Sequence, residues 1–270
     1  MKNTTEPERF SRTDDPAVPD LTIIAPVYKN ASTLDELAAR ITSTSEQAGY
    51  TFEILFVDDA CPQGSLDVLK RLASRDDRVS VISLAQNTGQ AQAVMTGLDH
   101  LRSRFFVIMD ADLQDPPEAI PELVRGLEEG YDVVFAGRAG HYESSGRLAT
   151  SRLYKWTIHI LTGLPADAGL FLAARRIVAE KLLAAHQSGI LIVPMIGTFK
   201  LRTFSIPVER ALRPVGESAY TGWMRMKVGF RAAAWALLWK FKALPRTNPT
   251  PLEFPVAEFI GVRFNQNPEV

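Results

Sequence analysis

Val107-Ile108-Met109-Asp110-Ala111-Asp112-Leu113-Gln114-Asp115-Pro116-Pro117 is an apolar run that ends in two carboxylates one residue apart, followed by an amide, a further acid and two prolines. Residues i and i+2 of an extended segment point the same way. Asp110 and Asp112 therefore converge on one point where a strand leaves a sheet. Two hard oxygen donors suit Mg2+ or Mn2+, which take carboxylate, carbonyl and water ligands and commonly sit on phosphates. The residues that follow, Asp115-Pro116-Pro117-Glu118, read as a helix start: Asp115 as N-cap, Pro116 at the first helical position, Glu118 closing a capping box. A cap does not account for Asp110 and Asp112, which precede it. Metal and phosphate work does.

Working outward, Leu21 to Ala25 is an apolar, partly β-branched run that predicts a buried strand ending at Pro26. Ser32-Thr33-Leu34-Asp35 has capping-box character, and Leu34, Leu37, Ala38 and Ile41 recur at helical spacing. Phe52 to Val57 predicts a second strand, ending at Asp58-Asp59. Leu66, Leu69 and Leu72 mark a helix, Val79 to Leu84 a third strand, and Gln90 to Leu101 a helix that starts after Gly89. Phe105 to Met109 is the fourth strand, Ala119 to Glu129 a helix and Val133 to Ala136 a fifth strand. Strands that are apolar throughout and alternate with helices predict an α/β fold with a largely parallel central sheet covered on both faces. Ligands of such sheets bind beyond the carboxyl ends of the strands, where Asp58, Asp59, Asp110 and Asp112 all fall. There is no Gly-x-Gly-x-x-Gly after the first strand and no Gly-Lys-Ser/Thr loop, which disfavours both a dinucleotide fingerprint and a P-loop.

The bulk properties agree. A chain of 270 residues, 46% hydrophobic, is long enough for one large α/β domain with a proper core, or for a domain plus an appendage. Its net charge of -1 gives no global field for nucleic acid. One cysteine, Cys61, forms no internal disulfide framework and fits a reducing compartment. No stretch at the start has the three regions of a signal peptide, and no paired Cys or His spacing marks a zinc site. Residues 1–20 read as a loose polar tail, 21–220 as the main domain, 221–246 as a basic amphipathic segment and 247–270 as a C-terminal tail.

The second half is less regular. Leu148 to Leu161 and Ile177 to Ala185 predict helices, Gly169 to Ala173 a short strand or turn, and Phe199 to Val208 strand material broken at Pro207. Between Ser218 and Leu252 there is no Asp or Glu, while Arg225, Lys227, Arg231, Lys240, Lys242 and Arg246 fall there with Trp223, Trp235 and Trp239 among them. At about 100° per residue, Trp223, Met226, Phe230, Leu237, Phe241 and Leu244 form one stripe, and Met224, Val228, Trp235 and Trp239 a second. The uncharged part, Ala232 to Trp239, is far shorter than the roughly 20 residues of a membrane span. Trp with Lys and Arg suits the lipid headgroup region. A core helix with a solvated basic edge, or an oligomer interface, has the same pattern.

Taken together these residues resemble the family 2 glycosyltransferases of GT-A fold, and within them the polyprenyl-phosphate (dolichyl-phosphate-type) sugar transferases, over about Leu21 to Tyr220. Pro26-Val27-Tyr28 is similar to the loop after that family's first strand, Val57-Asp58-Asp59 to its base-recognition strand end, and Asn87-Thr88-Gly89-Gln90 to the loop before its third helix. Asp110-Ala111-Asp112-Leu113-Gln114 is similar to its metal motif, Gly137-Arg138 to the segment that brings an Arg to the donor phosphates, and Asp167-Ala168-Gly169-Leu170-Phe171 to its acceptor-side motif. Arg213 with Gly216-Glu217-Ser218-Ala219-Tyr220 resembles the loop that closes over the site. Lys29-Asn30 stand where the family usually has Asn-Glu, and Ala60-Cys61-Pro62 precede Gly64-Ser65 where Gly-Ser usually follows the Asp pair. Both departures fall near the nucleobase pocket. No stretch matches the long paired transmembrane helices of many relatives.

The resemblance implies a GT-A, Rossmann-like nucleotide-sugar-binding fold with a C-terminal amphipathic helical appendage. It implies an inverting, metal-assisted transfer of a sugar from a nucleoside diphosphate to a polyprenyl phosphate, by an enzyme held peripherally on the cytoplasmic face of the membrane. Asp110, Asp112 and Gln114 would hold Mg2+ or Mn2+. Pro26, Tyr28, Asp58, Asp59, Gln90 and Arg138 would line the donor site, with Tyr28 stacked on the base and Asp59, or else Asp58, accepting from it. The alternative for Arg138 is a surface Arg after a strand, and for Tyr28 a half-buried core aromatic. Asp167 is a general base if the acceptor is a hydroxyl, or else a cap. A phosphate acceptor, already anionic, needs a cation such as Arg213 or Arg152, with Ser218 and Tyr220 nearby. Two other readings remain: transfer to a saccharide or other soluble acceptor, with the basic segment used to form a homo-oligomer, and a non-catalytic nucleotide-sugar-binding module. A nucleotidyltransferase would need a Gly-rich basic loop at the first strand, which this sequence lacks.

Overall fold

The structure, a computed structural model, describes residues 18–139, 159–160, 162–185, 192–210 and 255–265. The chain opens with β1 (Leu21–Val27), α1 (Leu34–Gln47), β2 (Phe52–Asp58), α2 (Ser65–Ala73), β3 (Val79–Leu84), α3 (Gln90–Asp99) and β4 (Phe105–Ile108). A 3-10 turn (Pro117–Ala119) leads into α4 (Ile120–Glu128), then β5 (Val133–Ala139), β6 (Leu172–Arg175), α5 (Arg176–Ala185), α6 (Ile192–Thr198), β7 (Thr203–Glu209), β8 (Val256–Ile260) and the short α7 (Val262–Asn265).

The strands form an eight-stranded sheet in the order β7-β5-β6-β4-β1-β2-β3-β8. The ladders β1–β2, β1–β4, β2–β3 and β5–β7 are parallel, whereas β6 runs against β4 and β5, and β8 runs against β3. Parallel pairing needs a crossover, and α1, α2 and α3 supply the crossovers of the first half. From β1 the chain steps outward to β2 and β3, then returns through α3 to β4 on the other side of β1. That reversal is the topological switch point, and in open α/β sheets the ligand crevice lies there, beyond the carboxyl ends of the strands.

The two faces of the sheet separate by side-chain parity. Leu21, Ile23, Ala25 and Val27 of β1 pack with Leu37, Ile41, Leu69 and Leu123 from α1, α2 and α4. Ile24 of β1 joins Leu55, Phe106 and Ile108 under Val94, Leu98, Val178 and Met195 from α3, α5 and α6. β1, β2, β3 and β4 are buried along their whole length, which is why they are predominantly apolar, with the few polar residues such as Thr22, Glu53 and Ser80 also buried.

Four expectations are corrected. Phe199 to Val208 does not break at Pro207: β7 runs from Thr203 through it to Glu209, because β7 is an edge strand where a missing N–H costs no ladder bond. The strand also starts later than expected: Phe199 and Leu201 lie in the connection after α6 and pack against the second core. The short strand expected at Gly169 to Ala173 lies at Leu172–Arg175, after the Asp167–Phe171 segment. The 247–270 stretch is no tail over 255–265, where β8 pairs with β3 and Arg263 forms a buried 2.7 Å ion pair with Glu53 of β2. Five apolar-to-acidic residues after a proline carry no strand signal of their own; long-range pairing with β3 makes the strand. The basic segment 221–246, and most of the helix expected over Leu148 to Leu161, lie outside the described residues.

Candidate active site

The register of the sheet brings the expected donor-site residues together. Val27 pairs with Asp58, and Ile24 with Ile108. The parallel ladders continue past the strand ends: Asp59 N–H donates to Val27 O at 3.0 Å, and Met109 N–H to Ile24 O at 3.2 Å. Tyr28, Asp58, Asp59 and the Asp110–Gln114 turn thus emerge side by side from β1, β2 and β4 at the switch point. β6 is antiparallel, so the Asp167–Phe171 segment enters it from the same end. Arg138 stands opposite Val208 in the β5–β7 ladder, also near that end.

The loops at this end are strained. Lys29, Ala60 and Leu113 adopt left-handed conformations with φ of 62°, 50° and 61°. Non-glycine residues seldom do so, and such strain persists only where surrounding bonds over-determine it. Those bonds are present. Thr33 Oγ1 donates to Ala111 O at 2.6 Å and to Asn30 O at 2.9 Å. Asp112 Oδ1 accepts from Gln114 N–H at 3.1 Å, and Gln90 Nε2 donates to Asp110 Oδ1. The capping box expected over Ser32-Thr33-Leu34-Asp35 is not formed: Thr33 stands at the N-cap of α1 and its side chain makes no cap bond. It ties the loop after β1 to the Asp110–Gln114 turn, a role no local pattern announces.

Asp115 also departs from expectation. It makes no cap; Pro116 precedes the 3-10 turn without a side-chain bond. Asp115 is 1% exposed, its Oδ2 accepts from Asp110 N–H at 3.1 Å, and its Oδ1 lies 3.0 Å from Arg210 Nη2. A buried carboxylate needs a cation and donors more than a helix end needs a cap. Arg210 was not singled out by the sequence, because its partner belongs to a different strand end.

The two acids after β2 differ. Asp59 is buried, and its oxygens accept from Thr88 N–H at 2.6 Å, Thr88 Oγ1 at 3.0 Å and Gly89 N–H at 2.9 Å. It anchors the loop before α3, at a glycine whose φ of 90° and ψ of 155° exclude other residues. Asp58 has Oδ2 3.5 Å from Ser83 Oγ, and its buried Oδ1 makes no hydrogen bond among the described residues. Burial pushes its carboxyl above the ordinary range, against hydrogen bonds from Cys61 N–H and Ser83. The structure therefore places a spent acceptor at Asp59 and an unspent one at Asp58. Tyr28, at 38% exposure, has its ring open to solvent, with Lys29 Nζ 5.2 Å from the ring centre. Cys61, which stands in one of the two departures from the family pattern, joins these loops: its Sγ accepts from Lys29 N–H at 3.1 Å and Ser65 Oγ at 3.0 Å. Burial opposes the thiolate, yet hydrogen bonds from Ser65, Gln63 and Lys29 outweigh it and hold the thiol below its usual range.

In the segment expected to face the acceptor, Asp167 packs on Gly137: a Cβ there would stand 1.8 Å from Asp167 Oδ2, so only glycine admits the carboxyl at this place. The side chain of Arg138, together with Arg152, Arg213, Ser218 and Tyr220, lies outside what the structure describes.

Glycosyl transferase family 2 is the family whose profile matches residues 22–190, most of the chain. The chain belongs to glycosyl transferase family 2. It is 36% identical over 203 residues to an undecaprenyl-phosphate 4-deoxy-4-formamido-L-arabinose transferase of Edwardsiella ictaluri, covering 74% of this chain and 62% of that protein. The chain thus spans less than two thirds of the length of the curated relative it matches. Among solved structures it resembles a mannosyltransferase of Pyrobaculum calidifontis in complex with GDP-Man and Mn2+, at TM-score 0.58 and 20% identity, covering 89% of this chain and 68% of that one. It also resembles the glucosyl-3-phosphoglycerate synthase of Mycobacterium tuberculosis in complex with Mn2+, UDP-Glc and phosphoglyceric acid, at TM-score 0.62 and 18% identity, covering 85% and 81%. The fold is the GT-A fold expected from the sequence.

Proposed function

We propose that this chain is an inverting glycosyltransferase that moves a sugar from a nucleoside diphosphate to a polyprenyl phosphate at a membrane surface. The observation that carries the reading is the convergence of Tyr28, Asp58 and the braced Asp110–Asp112 turn at the switch point of a GT-A sheet, in a chain more than one third identical to an undecaprenyl-phosphate sugar transferase.

The donor set fits a divalent cation. Asp110 and Asp112 offer hard carboxylate oxygens, with Gln114 beside them, and among the described residues no group of three acids, His or Cys forms a closed metal cage. Mg2+ and Mn2+ accept such partial shells and complete them with phosphate oxygens and water. When bound, the cation neutralises the charge that develops on the departing diphosphate. Tyr28 offers an aromatic face to the base, Asp58 Oδ1 an acceptor for a base N–H, and Arg138 a guanidinium for the phosphates. An oxygen of the lipid phosphate then attacks the anomeric carbon, the carbon–oxygen bond to the nucleoside diphosphate breaks, and the nucleotide leaves with the bonding pair. A phosphate near neutral pH is already largely ionised, so this attack needs a cationic dock such as Arg213 or Arg152 and no strong base.

The basic segment 221–246 serves as the membrane contact. Its neighbours in the chain support this: Glu209 ends β7 at one edge of the sheet and Val256 begins β8 at the other, both at the carboxyl ends where the site lies. No helix among the described residues is long and apolar enough to cross a membrane.

The test is a donor-by-acceptor screen with UDP- and GDP-sugars against undecaprenyl phosphate and soluble saccharides, with Mg2+ or Mn2+. Formation of a lipid-phosphate sugar is expected. Transfer only to saccharides would replace the lipid acceptor by a soluble one. Donor binding with neither transfer nor hydrolysis would reduce the chain to a nucleotide-sugar-binding module.

A further inference from the structure

Asp115 is the acid of the turn that the donor chemistry leaves unused, and it is the most deeply buried of them. Its Oδ2 holds the backbone N–H of Asp110, the residue whose own carboxylate faces the donor, while its Oδ1 lies 3.0 Å from Arg210 Nη2. The Arg210 side chain is 16% exposed. Arg210 directly follows β7, and in the sheet order β5 and β6 separate β7 from β4. Neighbouring strands are about 4.8 Å apart, so the loops after β4 and β7 must converge over the ends of β5 and β6 for this side chain to meet the Asp110–Asp115 turn. On its way it passes the acceptor side: a Cβ on Gly169 would stand 3.8 Å from Arg210 Nη2.

We propose that Arg210 is a positioning residue for the donor cation: by holding Asp115 in place it fixes the Asp110–Asp112 turn. The proposal rests on the reading of Asp110 and Asp112 as metal ligands. The turn needs such a brace. It contains Leu113 at φ 61°, a conformation that relaxes unless bonds on both sides oppose it. Thr33 opposes it from the β1 side and Asp115 from the β6 and β7 side. A buried carboxylate keeps its place only with a partner, and removing the cation from such a pair leaves an uncompensated charge that moves toward water. That movement releases the N–H of Asp110. The ion pair of Arg210 Nη2 with Asp115 makes Arg210 a brace for the turn.

The experiment measures Mn2+ binding by electron paramagnetic resonance, with UDP and separately GDP present, in the full chain and in Arg210→Gln, Asp115→Asn and the double variant. Arg210→Gln should weaken Mn2+ binding about ten-fold. The double variant should return to within about three-fold of the parent, since the amide that replaces the carboxylate keeps an oxygen for Asp110 N–H and no buried charge remains; a coupling of this size is ordinary for contacting residues. If Arg210→Gln does not accumulate as folded protein, recovery of folded, Mn2+-binding protein in the double variant supports the proposal in the same way. Unchanged Mn2+ affinity in Arg210→Gln with only the acceptor KM raised would overturn the proposal, making Arg210 an acceptor ligand. So would a double variant as weak as Arg210→Gln. A parent protein that binds no Mn2+ with either nucleotide would overturn the donor-site reading itself, which separates the two failures.

Discussion

At the scale of single residues, the site depends on carboxylates doing unlike work within a short distance of chain. Asp112→Asn removes an anionic ligand while an amide oxygen can still accept from Gln114 N–H. Divalent-dependent transfer should fall by about 10²-fold or more, as for loss of an electrostatic stabiliser, with the thermal midpoint nearly unchanged; activity and melting curves measured together check this. Asp59→Ala behaves differently. It strips acceptors from two backbone N–H groups and one hydroxyl of the loop before α3, and each donor left buried without a partner costs about 1–3 kcal/mol. Urea titration should show that loss of stability along with loss of nucleotide binding. Asp58 makes a third prediction, in pH. Its carboxyl is raised in the fold by burial, so the folded state holds the proton more tightly than the unfolded chain. Stability from this group is therefore greatest below the ordinary carboxylate range, declines as pH rises from that range to the raised folded value, and stays at the lower level above it. Asp58→Asn should raise the melting temperature relative to the parent at neutral pH and lose that advantage at acid pH.

At the scale of elements, the C-terminal strand is a separate lock. β8 covers the outer edge of β3, Lys70 of α2 pairs with Glu258 at 2.7 Å, and Phe259 and Phe264 pack about His100. Arg263 and Glu53 are both buried at the heart of this contact. Breaking a buried pair from one side costs about 3–5 kcal/mol, while replacing both partners by apolar residues is often neutral. Arg263→Ala should therefore lower unfolding stability by an amount in that range, and Glu53→Leu with Arg263→Met should recover most of it in chemical denaturation. Donor chemistry at the far, carboxyl end of the strands should persist in the double variant. Should Arg263→Ala prove neutral, the C-terminal lock is not formed in solution.

At the scale of the whole molecule, the sheet has a working end. Strand ends, the strained loops and both chain entries into the 211–254 interval gather there. An interfacial segment binds by buried apolar area plus about 1 kcal/mol per cation near an anionic surface, a term that salt screens. The protein should co-sediment with anionic vesicles and do so less at high salt. Trp235→Ser with Trp239→Ser should weaken that binding and reduce transfer to a long-chain acceptor, sparing a short water-soluble analogue. A change of oligomer size with no vesicle binding at low salt would assign the segment to a protein interface instead.

The sheet's first half was legible because each parallel strand is buried on both faces: a run such as Ile23-Ile24 or Phe105-Phe106-Val107-Ile108 has no alternative but the interior, and the acids that follow must lie at its end. The Asp110-Ala111-Asp112 spacing likewise marked a candidate donor pair, although these residues follow β4 in a turn and not in an extended strand. Tertiary structure decided the rest. β8, the buried Arg263–Glu53 pair and the path of β7 through Pro207 depend on which strands stand at the edges, which no local pattern encodes. Thr33, Asp115 and Arg210 were misread or passed over for the same reason. A short polar side chain before a helix can cap it or reach elsewhere, and only the arrival of Ala111, Asp110 and one another from distant strand ends selects the second use, because a buried carbonyl or carboxylate left without its partner costs more than an uncapped helix in water.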